Sequence, residues 1–181
     1  MPAMVPHQRC CDLASAEIAR FAAVIRGADP ATPVPTCGRW TMADLVQHIG
    51  HIHRWVAGMV AERSRTRHSR SKADLPLPAD PTTWPDWLAE AEVLLVPVLR
   101  AADPETRMWA WGPDKHVRFW SRRMVHETGV HRVDAELALG IEPRVDAAGP
   151  ARRARSPCAP APPSCTCCCG DGGRAPMPAT R

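Results

Sequence analysis

Residues 122–136 read RRMVHETGVHRVDAE, a polar run inside a segment that otherwise has the apolar spacing of a buried helix. At about 100° per residue, Glu127 and His131 lie one turn apart on the same side of that helix. The apolar residues of this side are Trp120, Met124 and Ala138. The pattern therefore predicts a carboxylate and an imidazole that point towards the core.

A buried carboxylate needs a compensating charge, because burying it without a partner is energetically costly. A divalent metal ion is the simplest compensation. The alternative is an ordinary pair of side chains at i and i+4 on a helix surface, which for an isolated Glu-x-x-x-His is the better interpretation. A third candidate ligand on another helix, His48, favours the metal in this chain.

His48 lies on a predicted helix whose apolar residues recur at helical spacing: Leu45, Ile49, Ile52, Val56 and Met59. His48 borders this apolar side, whereas His51 points further towards solvent and His53 lies on the opposite shoulder. Two imidazoles and one carboxylate are the three protein ligands of catalytic zinc sites, which leave a position for water or substrate. The same set suits non-haem iron(II), so the residues alone do not name the metal.

Four more polar residues lie near these candidates on the last helix. Asp134, Arg123 and Arg132 are close enough along it to support the ligands or to bind substrate, although a salt bridge or solvation is the simpler interpretation of each. His126 lies off the Glu127 side, so we expect a structural role for it.

Four helices are predicted, over about Cys10–Gly27, Thr41–Arg63, Trp84–Ala102 and His116–Leu139. The second begins with a variant capping box, in which Thr41 is the N-cap and Asp44 is the acid three residues on. The Pro-rich linker at 30–40 reads as extended, Pro97 should kink or shorten the third helix, and polar residues 63–81 read as a long mobile loop. No segment alternates as a strand does, so we expect an all-α fold, a four-helix bundle with long loops. Such bundles build metal sites from facing side chains.

The net charge of +4 comes from the C-terminal part of the chain. Six of the 23 Lys and Arg residues but only two of the 19 Asp and Glu residues lie from Arg144 onward, which leaves 17 of each before it. The body therefore lacks the basic excess that nucleic-acid binding needs. No apolar run approaches the roughly 20 residues of a membrane span, and the N-terminus lacks a signal-peptide pattern, so we expect a cytoplasmic protein without a membrane partner.

The composition changes at about residue 147, where a stretch with seven Pro and five Cys begins. We therefore divide the chain into a metal-binding bundle at 9–143 and a disordered Pro/Cys/Arg-rich tail at 144–181. This mixture of residues is typical of a GC-rich gene read out of frame. We rank that explanation ahead of a metal-binding or redox-active tail built on the C-x-x-C of Cys165 and Cys168. The three Cys of the body do not form a disulfide framework.

Two stretches resemble a known family: PTCGRWTMADLVQHIGHIHRW at 35–55 and WGPDKHVRFWSRRMVHETGVHRVDAELALG at 111–140. They are similar to the metal-binding domain of the mycothiol-dependent maleylpyruvate isomerase family, within the DinB/YfiT-like four-helix-bundle superfamily. The resemblance covers about Leu13 to Gly140. By motif, the family's zinc ligands correspond to His48, Glu127 and His131. The chain departs from the family pattern at 37–40, where Cys-Gly-Arg-Trp replaces a Cys-Pro-Gly-Trp-like turn.

The resemblance implies zinc, or another divalent metal, which activates the low-molecular-weight thiol mycothiol as a cosubstrate. In the family the thiolate adds to the cis double bond of maleylpyruvate, the bond rotates, and elimination gives fumarylpyruvate. Many relatives carry the ligand set without a known substrate. The implied function is therefore a mycothiol-dependent isomerase or thiol transferase that acts on a small molecule.

Two other hypotheses stay open. Family members commonly continue into a smaller α/β domain, whereas this chain continues into the tail, so the bundle could bind metal without catalysis. The third hypothesis is a helical interaction module whose His and Glu side chains merely satisfy one another. The residues that bind mycothiol and the oligomeric state cannot be read from the sequence.

Overall fold

The computed structural model describes residues 5–69 and 75–143. They form four α-helices, α1 (His7–Val24), α2 (Met42–Ala61), α3 (Trp84–Ala101) and α4 (Val117–Ala138), and among them no β-strand. The predicted all-α bundle is confirmed, with helix ends within three residues of the predicted ones. The predicted tail at 144–181 and part of the predicted mobile loop, 70–74, lie outside the described residues.

The predicted helix signals set two of the helix ends. The Thr41 hydroxyl accepts a hydrogen bond from the backbone N–H of Asp44 at 3.4 Å, and the Asp44 carboxylate accepts one from the backbone N–H of Thr41 at 2.9 Å. These reciprocal bonds satisfy backbone donors that the first turn of α2 would otherwise leave unpaired. At the end of α4, Gly140 has a φ of +69°, the left-handed conformation that glycine adopts after a helix without strain.

The four helices surround one hydrophobic core. Around the bundle, α1 packs against α4, α4 against α2, α2 against α3, and α3 against α1, with the most extensive contact between α1 and α4. Large side chains that are fully buried in this core include Ile18, Phe21, Leu45, Ile49, Leu88, Leu99 and Trp120. This arrangement places α2 and α4 side by side, so their facing side chains can meet.

The third helix is not shortened by its internal proline. Pro97 lies within α3, which continues to Ala101. Pro97 is exposed, so its ring lies on the solvent side of the helix. The missing N–H removes one helical hydrogen bond without disturbing the buried side. Of the two predicted outcomes, a kink or a shortened helix, the shortening does not occur.

The linker before α2 is a folded turn, and the prediction of an extended linker is wrong. It contains a short 3₁₀ helix, Pro35–Cys37, followed by Gly38 with a φ of +70°. The backbone N–H of Val34 donates to the Trp40 carbonyl at 2.9 Å, which closes the turn. The 3₁₀ helix packs on α4. The linker therefore brings its side chains to the end of α4 that carries the predicted site.

In the described part of the chain, no helix combines the length and the apolar character that a membrane crossing would require.

Candidate metal centre

Glu127 and the two predicted histidines come together between α2 and α4. His48 Nε2 lies 3.2 Å from Glu127 Oε1, and His131 Nε2 lies 3.9 Å from the same oxygen. One potential ligand atom from each of the three residues lies within 4.8 Å of the others. Glu127 and His48 are buried, with about 7% of each residue exposed. The i, i+4 spacing on α4 therefore presents a carboxylate and an imidazole to an imidazole from α2.

Asp134 orients His131 from one turn further along α4. Its Oδ2 lies 2.9 Å from His131 Nδ1, so the carboxylate accepts a hydrogen bond from the ring. The thiol of Cys37 donates to the same oxygen at 3.4 Å. Burial by itself raises the pKa of Asp134, but the hydrogen bonds from His131, Thr36 and Cys37 lower it below its usual value. An ionised Asp134 holds the proton of His131 on Nδ1, which leaves the Nε2 lone pair available towards Glu127.

The charge of Glu127 is balanced on both sides of its carboxylate. Burial opposes ionisation and raises its pKa, but the hydrogen bond from His48 and the positive charge of Arg123 outweigh that effect, and the pKa is lowered to about 2. Oε1 faces the histidines, and Oε2 forms an ion pair with Arg123 one turn earlier on α4. Glu127 is therefore an anion at neutral pH, as a metal ligand must be.

The indole ring of Trp40 covers one side of the cluster formed by His48, Glu127 and His131. The ring of Trp40 lies 5.0 Å from the His48 ring and 6.0 Å from the His131 ring, between centroids. The two imidazoles meet edge to face at 5.0 Å with an interplanar angle of 78°. Trp40 comes from the folded linker, which is why helical periodicity alone gave no indication of it. The Trp40 ring limits solvent access to this cluster.

The chain matches the family model described as mycothiol maleylpyruvate isomerase N-terminal domain over residues 11–136. The chain belongs to this family. The match covers most of the chain and ends within α4, after the last of the three candidate ligands. Comparison with curated proteins and with solved structures gave no match. The resemblance stated from the two sequence stretches is thereby confirmed at the level of the family.

The three candidate ligands of this family member fit a divalent metal in donor chemistry and in spacing. Zinc bonds of about 2.0–2.2 Å in a tetrahedral arrangement hold donor atoms about 3.3–3.6 Å apart. The two separations from Glu127 Oε1, 3.2 and 3.9 Å, bracket that range. His48, Glu127 and His131 are therefore the residues that would hold such an ion.

A second group of ligand types, Cys37, His131 and Asp134, also lies within 4.8 Å. It shares His131 with the first group. Within it the Asp134 carboxylate already accepts hydrogen bonds from the imidazole and from the thiol. Cys37 and Asp134 are therefore better described as hydrogen-bonding groups next to the candidate ligand His131. Sequence reasoning weighed Asp134 as such a partner but gave Cys37 no role, because nothing in the linker pattern shows that it folds back onto α4.

The predicted orientation of His51 on α2 was wrong, and His53 is more deeply buried than its sequence position indicates. His51 was expected towards solvent but is only 8% exposed, and His53, expected on the opposite shoulder, is fully buried. His53 Nε2 lies 2.9 Å from Thr128 Oγ1 on α4. Burial lowers the pKa of His53 to about 3, so this imidazole is neutral. Fourteen of the 20 residues of α2 are buried, so this helix has little of the polar side that the prediction assumed.

The remaining arginine candidate, Arg132, is a structural ion-pair partner. Its side chain is buried, and it contacts Glu17 of α1 at 2.7 Å and Glu136 of α4 at 2.6 Å. The salt-bridge interpretation is therefore correct for this residue. His126 is half-buried, and burial lowers its pKa below the usual value.

Proposed function

We propose that this chain binds one divalent metal ion, preferably zinc, through His48, Glu127 and His131. The observation that carries the proposal is the convergence of these ligand atoms, in a family whose name links it to mycothiol and maleylpyruvate. An ordinary helix-surface pair would not bury both partners and add an imidazole from a second helix. A metal ion would add a further positive charge beside the buried Glu127 carboxylate, whose Oε2 already pairs with Arg123.

Each residue of the cluster has a definite task in this proposal. Glu127 contributes the negative charge, and the two imidazoles contribute neutral nitrogen donors. Asp134 fixes the tautomer and the ring orientation of His131. Trp40 excludes water from one side. A zinc ion held by these side chains acts as a Lewis acid and lowers the pKa of a thiol that binds to it.

The reaction proposed is a cis–trans isomerisation or a thiol transfer that uses mycothiol. In the isomerisation, the thiolate sulfur forms a bond to one alkene carbon, and the π electrons move into the conjugated carbonyl group as an enolate. The resulting single bond rotates. The enolate then re-forms the double bond and expels the thiolate, so no net oxidation occurs and the thiol is regenerated. Maleylpyruvate is the substrate that the family name suggests.

A cytoplasmic location is part of the proposal. Cys10, Cys11 and Cys37 are all free thiols within the described residues. A reducing compartment keeps such cysteines, and a low-molecular-weight thiol cosubstrate, in the reduced form.

The second candidate function is metal binding without turnover. The observation in its favour is that the matching model describes an N-terminal domain alone. In that case the metal cluster would be intact, and thiol-dependent conversion of maleylpyruvate would be absent. Assaying the metal-loaded chain with and without mycothiol separates the two candidates.

The first experiment is elemental analysis of the purified full chain and of Glu127→Ala. We expect about one zinc more per chain in the wild type than in the variant. Both proteins contain the C-x-x-C of Cys165 and Cys168. Zinc bound by that motif therefore contributes equally to both and drops out of the difference in zinc content. Glu90→Ala is the matched control, because the Glu90 side chain is 72% exposed and lies on α3.

Circular dichroism verifies that each variant keeps its helices. Equal zinc content in the wild type and Glu127→Ala, in folded proteins, would overturn the metal proposal. The bundle would then be a helical module whose buried Glu and His residues stabilise one another. Metal without thiol-dependent turnover would leave the second candidate function.

A further inference from the structure

A basic pocket of about 330 Å³ lies where the loop after α2 meets the loop before α4. The first loop contributes one cationic residue to its lining and the second contributes two, together with a methionine and a tryptophan: Arg65, Arg107, Lys115, Met108 and Trp109. No acidic residue lines it. The candidate metal centre is roughly three turns away along each of α2 and α4. The basic pocket is therefore separate from that centre.

Hydrogen bonds between the two loops fix the walls of the basic pocket. The backbone N–H of Trp109 donates to the Ser64 carbonyl at 2.7 Å, and the Arg65 guanidinium donates to the Arg107 carbonyl at 3.3 Å. Arg63, directly before them, has a φ of +50°, in the left-handed region that favours glycine. In the described part of the chain, all other residues with a positive φ are glycines. Such backbone conformations are concentrated at ligand sites.

Lys115 is held in the second loop by contacts with the main chain. Its carbonyl accepts a hydrogen bond from the N–H of Met108 at 3.0 Å, and its ammonium group donates to the carbonyl of Ala110. An ammonium group has three donors, so this bond leaves others available. The nitrogen lies 6.0 Å from the centre of the Trp109 ring. The basic pocket thus combines a positioned ammonium group with a half-buried indole ring.

The three cations of the basic pocket have no carboxylate partner among the described residues. Arg107 forms no side-chain hydrogen bond to any of these residues. Three acidic side chains from the same stretches of chain contact other groups instead: Glu62 contacts His68, and Glu105 and Asp114 pair with Arg118. Like charges that converge without an intervening anion repel one another. A bound anion would remove that repulsion.

The simpler interpretation is a solvated basic surface, which is common for a loop with a run such as RSRTRH at 63–68. That interpretation suits Arg67, which is exposed and does not line the basic pocket. It does not explain why Arg65 and Arg107, 42 residues apart, converge on one cavity together with a lysine.

We propose that the basic pocket binds the phosphate group of a small phosphate monoester. Three positive charges match a dianion better than a monoanion, and the planar fork of an arginine matches two phosphate oxygens. The Trp109 ring provides an apolar wall for the organic part of the ligand. A volume near the lower end of the range for ligand sites suits a small molecule better than a nucleic-acid strand, which occupies an extended groove. This site goes beyond the proposed function and does not depend on it.

The test is calorimetric titration of the full chain at about pH 8, where a phosphate monoester is a dianion. The probes are phenyl phosphate, its monoanionic isostere phenyl sulfate, and inorganic phosphate. We expect phenyl phosphate to bind at least about 10-fold more tightly than phenyl sulfate, because the second charge strengthens the charge-assisted hydrogen bonds. Inorganic phosphate should bind several-fold more weakly than phenyl phosphate, because it lacks the ring that packs on Trp109.

Arg107→Gln is the first variant, because its side chain has no hydrogen bond to lose among the described residues. It should weaken phenyl phosphate binding by about 10-fold or more. Lys115→Gln is the second variant and should weaken binding several-fold. Arg67→Gln is the matched control: it removes the same charge from the loop after α2, outside the basic pocket, and should bind phenyl phosphate as the wild type does. Circular dichroism verifies that each variant is folded.

Equal losses in Arg107→Gln and Arg67→Gln would indicate diffuse attraction to a basic surface and would overturn the inference. Equal affinities for phenyl phosphate and phenyl sulfate, or no binding of phenyl phosphate by the wild type, would overturn it as well. Equal affinities for phenyl phosphate and inorganic phosphate would overturn the choice of an ester and leave free phosphate as the ligand.

The same titrations after chelator treatment separate this site from the metal centre. Binding of phenyl phosphate that requires Arg107 and survives chelation would support the basic pocket, whether or not the chain binds zinc. Binding that is lost on chelation would place the phosphate on a metal ion and refute the basic pocket.

Discussion

At the scale of single residues, Glu127 is held between two kinds of partner. One oxygen faces the imidazoles of His48 and His131, and the other pairs with Arg123. The arginine and the hydrogen bond from His48 keep the carboxylate ionised in spite of its burial. A buried carboxylate can thus persist before any metal binds, because its charge is already matched.

Asp134→Ala should weaken zinc binding by about 10- to 100-fold, because loss of a carboxylate that orients a ligating histidine has an effect of that size. Without Asp134, His131 Nδ1 loses its acceptor and the ring can adopt the other tautomer. Competition with a chromogenic zinc chelator measures the affinity. Asp12→Asn, at an exposed acid of α1 that pairs with Arg100, is the control. An unchanged affinity in folded Asp134→Ala would show that this hydrogen bond does not support the ligand.

At the scale of secondary-structure elements, the position of α2 depends on its close approach to α3. Gly50 faces the Trp87 ring, and a Cβ atom built on Gly50 would lie 1.9 Å from that ring. Arg54 covers the same ring from one turn further along α2, with its guanidinium carbon 4.3 Å from the ring centroid. Because Gly50 is two residues from His48, this contact also sets where the histidine meets α4.

Gly50→Ala should destabilise the fold by about 1–3 kcal/mol, because the added methyl group overpacks a rigid indole ring. Gly58→Ala is the matched control on the same helix, since a Cβ atom at Gly58 meets nothing within 4 Å. The control should stabilise the protein by about 0.5–1 kcal/mol through helix propensity. Urea unfolding of both variants provides the measurement. Equal effects of the two substitutions would contradict the close α2–α3 packing.

At the scale of the whole molecule, the candidate centre joins two helices that are far apart in sequence. His48 and Glu127 are 79 residues apart, and α4 packs more extensively on α1 than on α2. A buried network of Arg132 with Glu17 and Glu136 ties α4 to α1. The hydrogen bond between His48 and Glu127, together with that between His53 and Thr128, provides the corresponding polar link between α2 and α4.

Zinc should therefore raise the thermal midpoint of the whole bundle. Free zinc at 100 times its Kd stabilises a folded protein by about 2.7 kcal/mol if the unfolded chain does not bind it. For a chain of this length that corresponds to about 5–10 °C. Differential scanning calorimetry of the chelator-treated chain, before and after zinc addition, measures the shift. Glu127→Ala should show none of it, and an equal shift in that variant would contradict zinc binding through Glu127.

The sequence determined the features that depend on local periodicity. The four helices, the capping box at Thr41 and the common side of Glu127 and His131 follow from the 3.6-residue repeat and from side chains that bond to the nearby backbone. The choice of His48 as the third candidate ligand came from the same repeat, because it borders the apolar side of α2. The family resemblance selected the same three residues, and the matching family model confirms the family.

Only the tertiary structure decided which other elements each side of a helix contacts. His51 and His53 are buried because α3, α4 and the loop that contains His68 enclose α2, and no local pattern records that enclosure. The folded linker that places Cys37 and Trp40 at the cluster depends on contacts with α4, about 90 residues away in sequence. The basic pocket likewise requires the loop after α2 to contact the loop before α4. Periodicity fixes the direction of a side chain around its own helix, whereas its neighbours are fixed by how the helices pack.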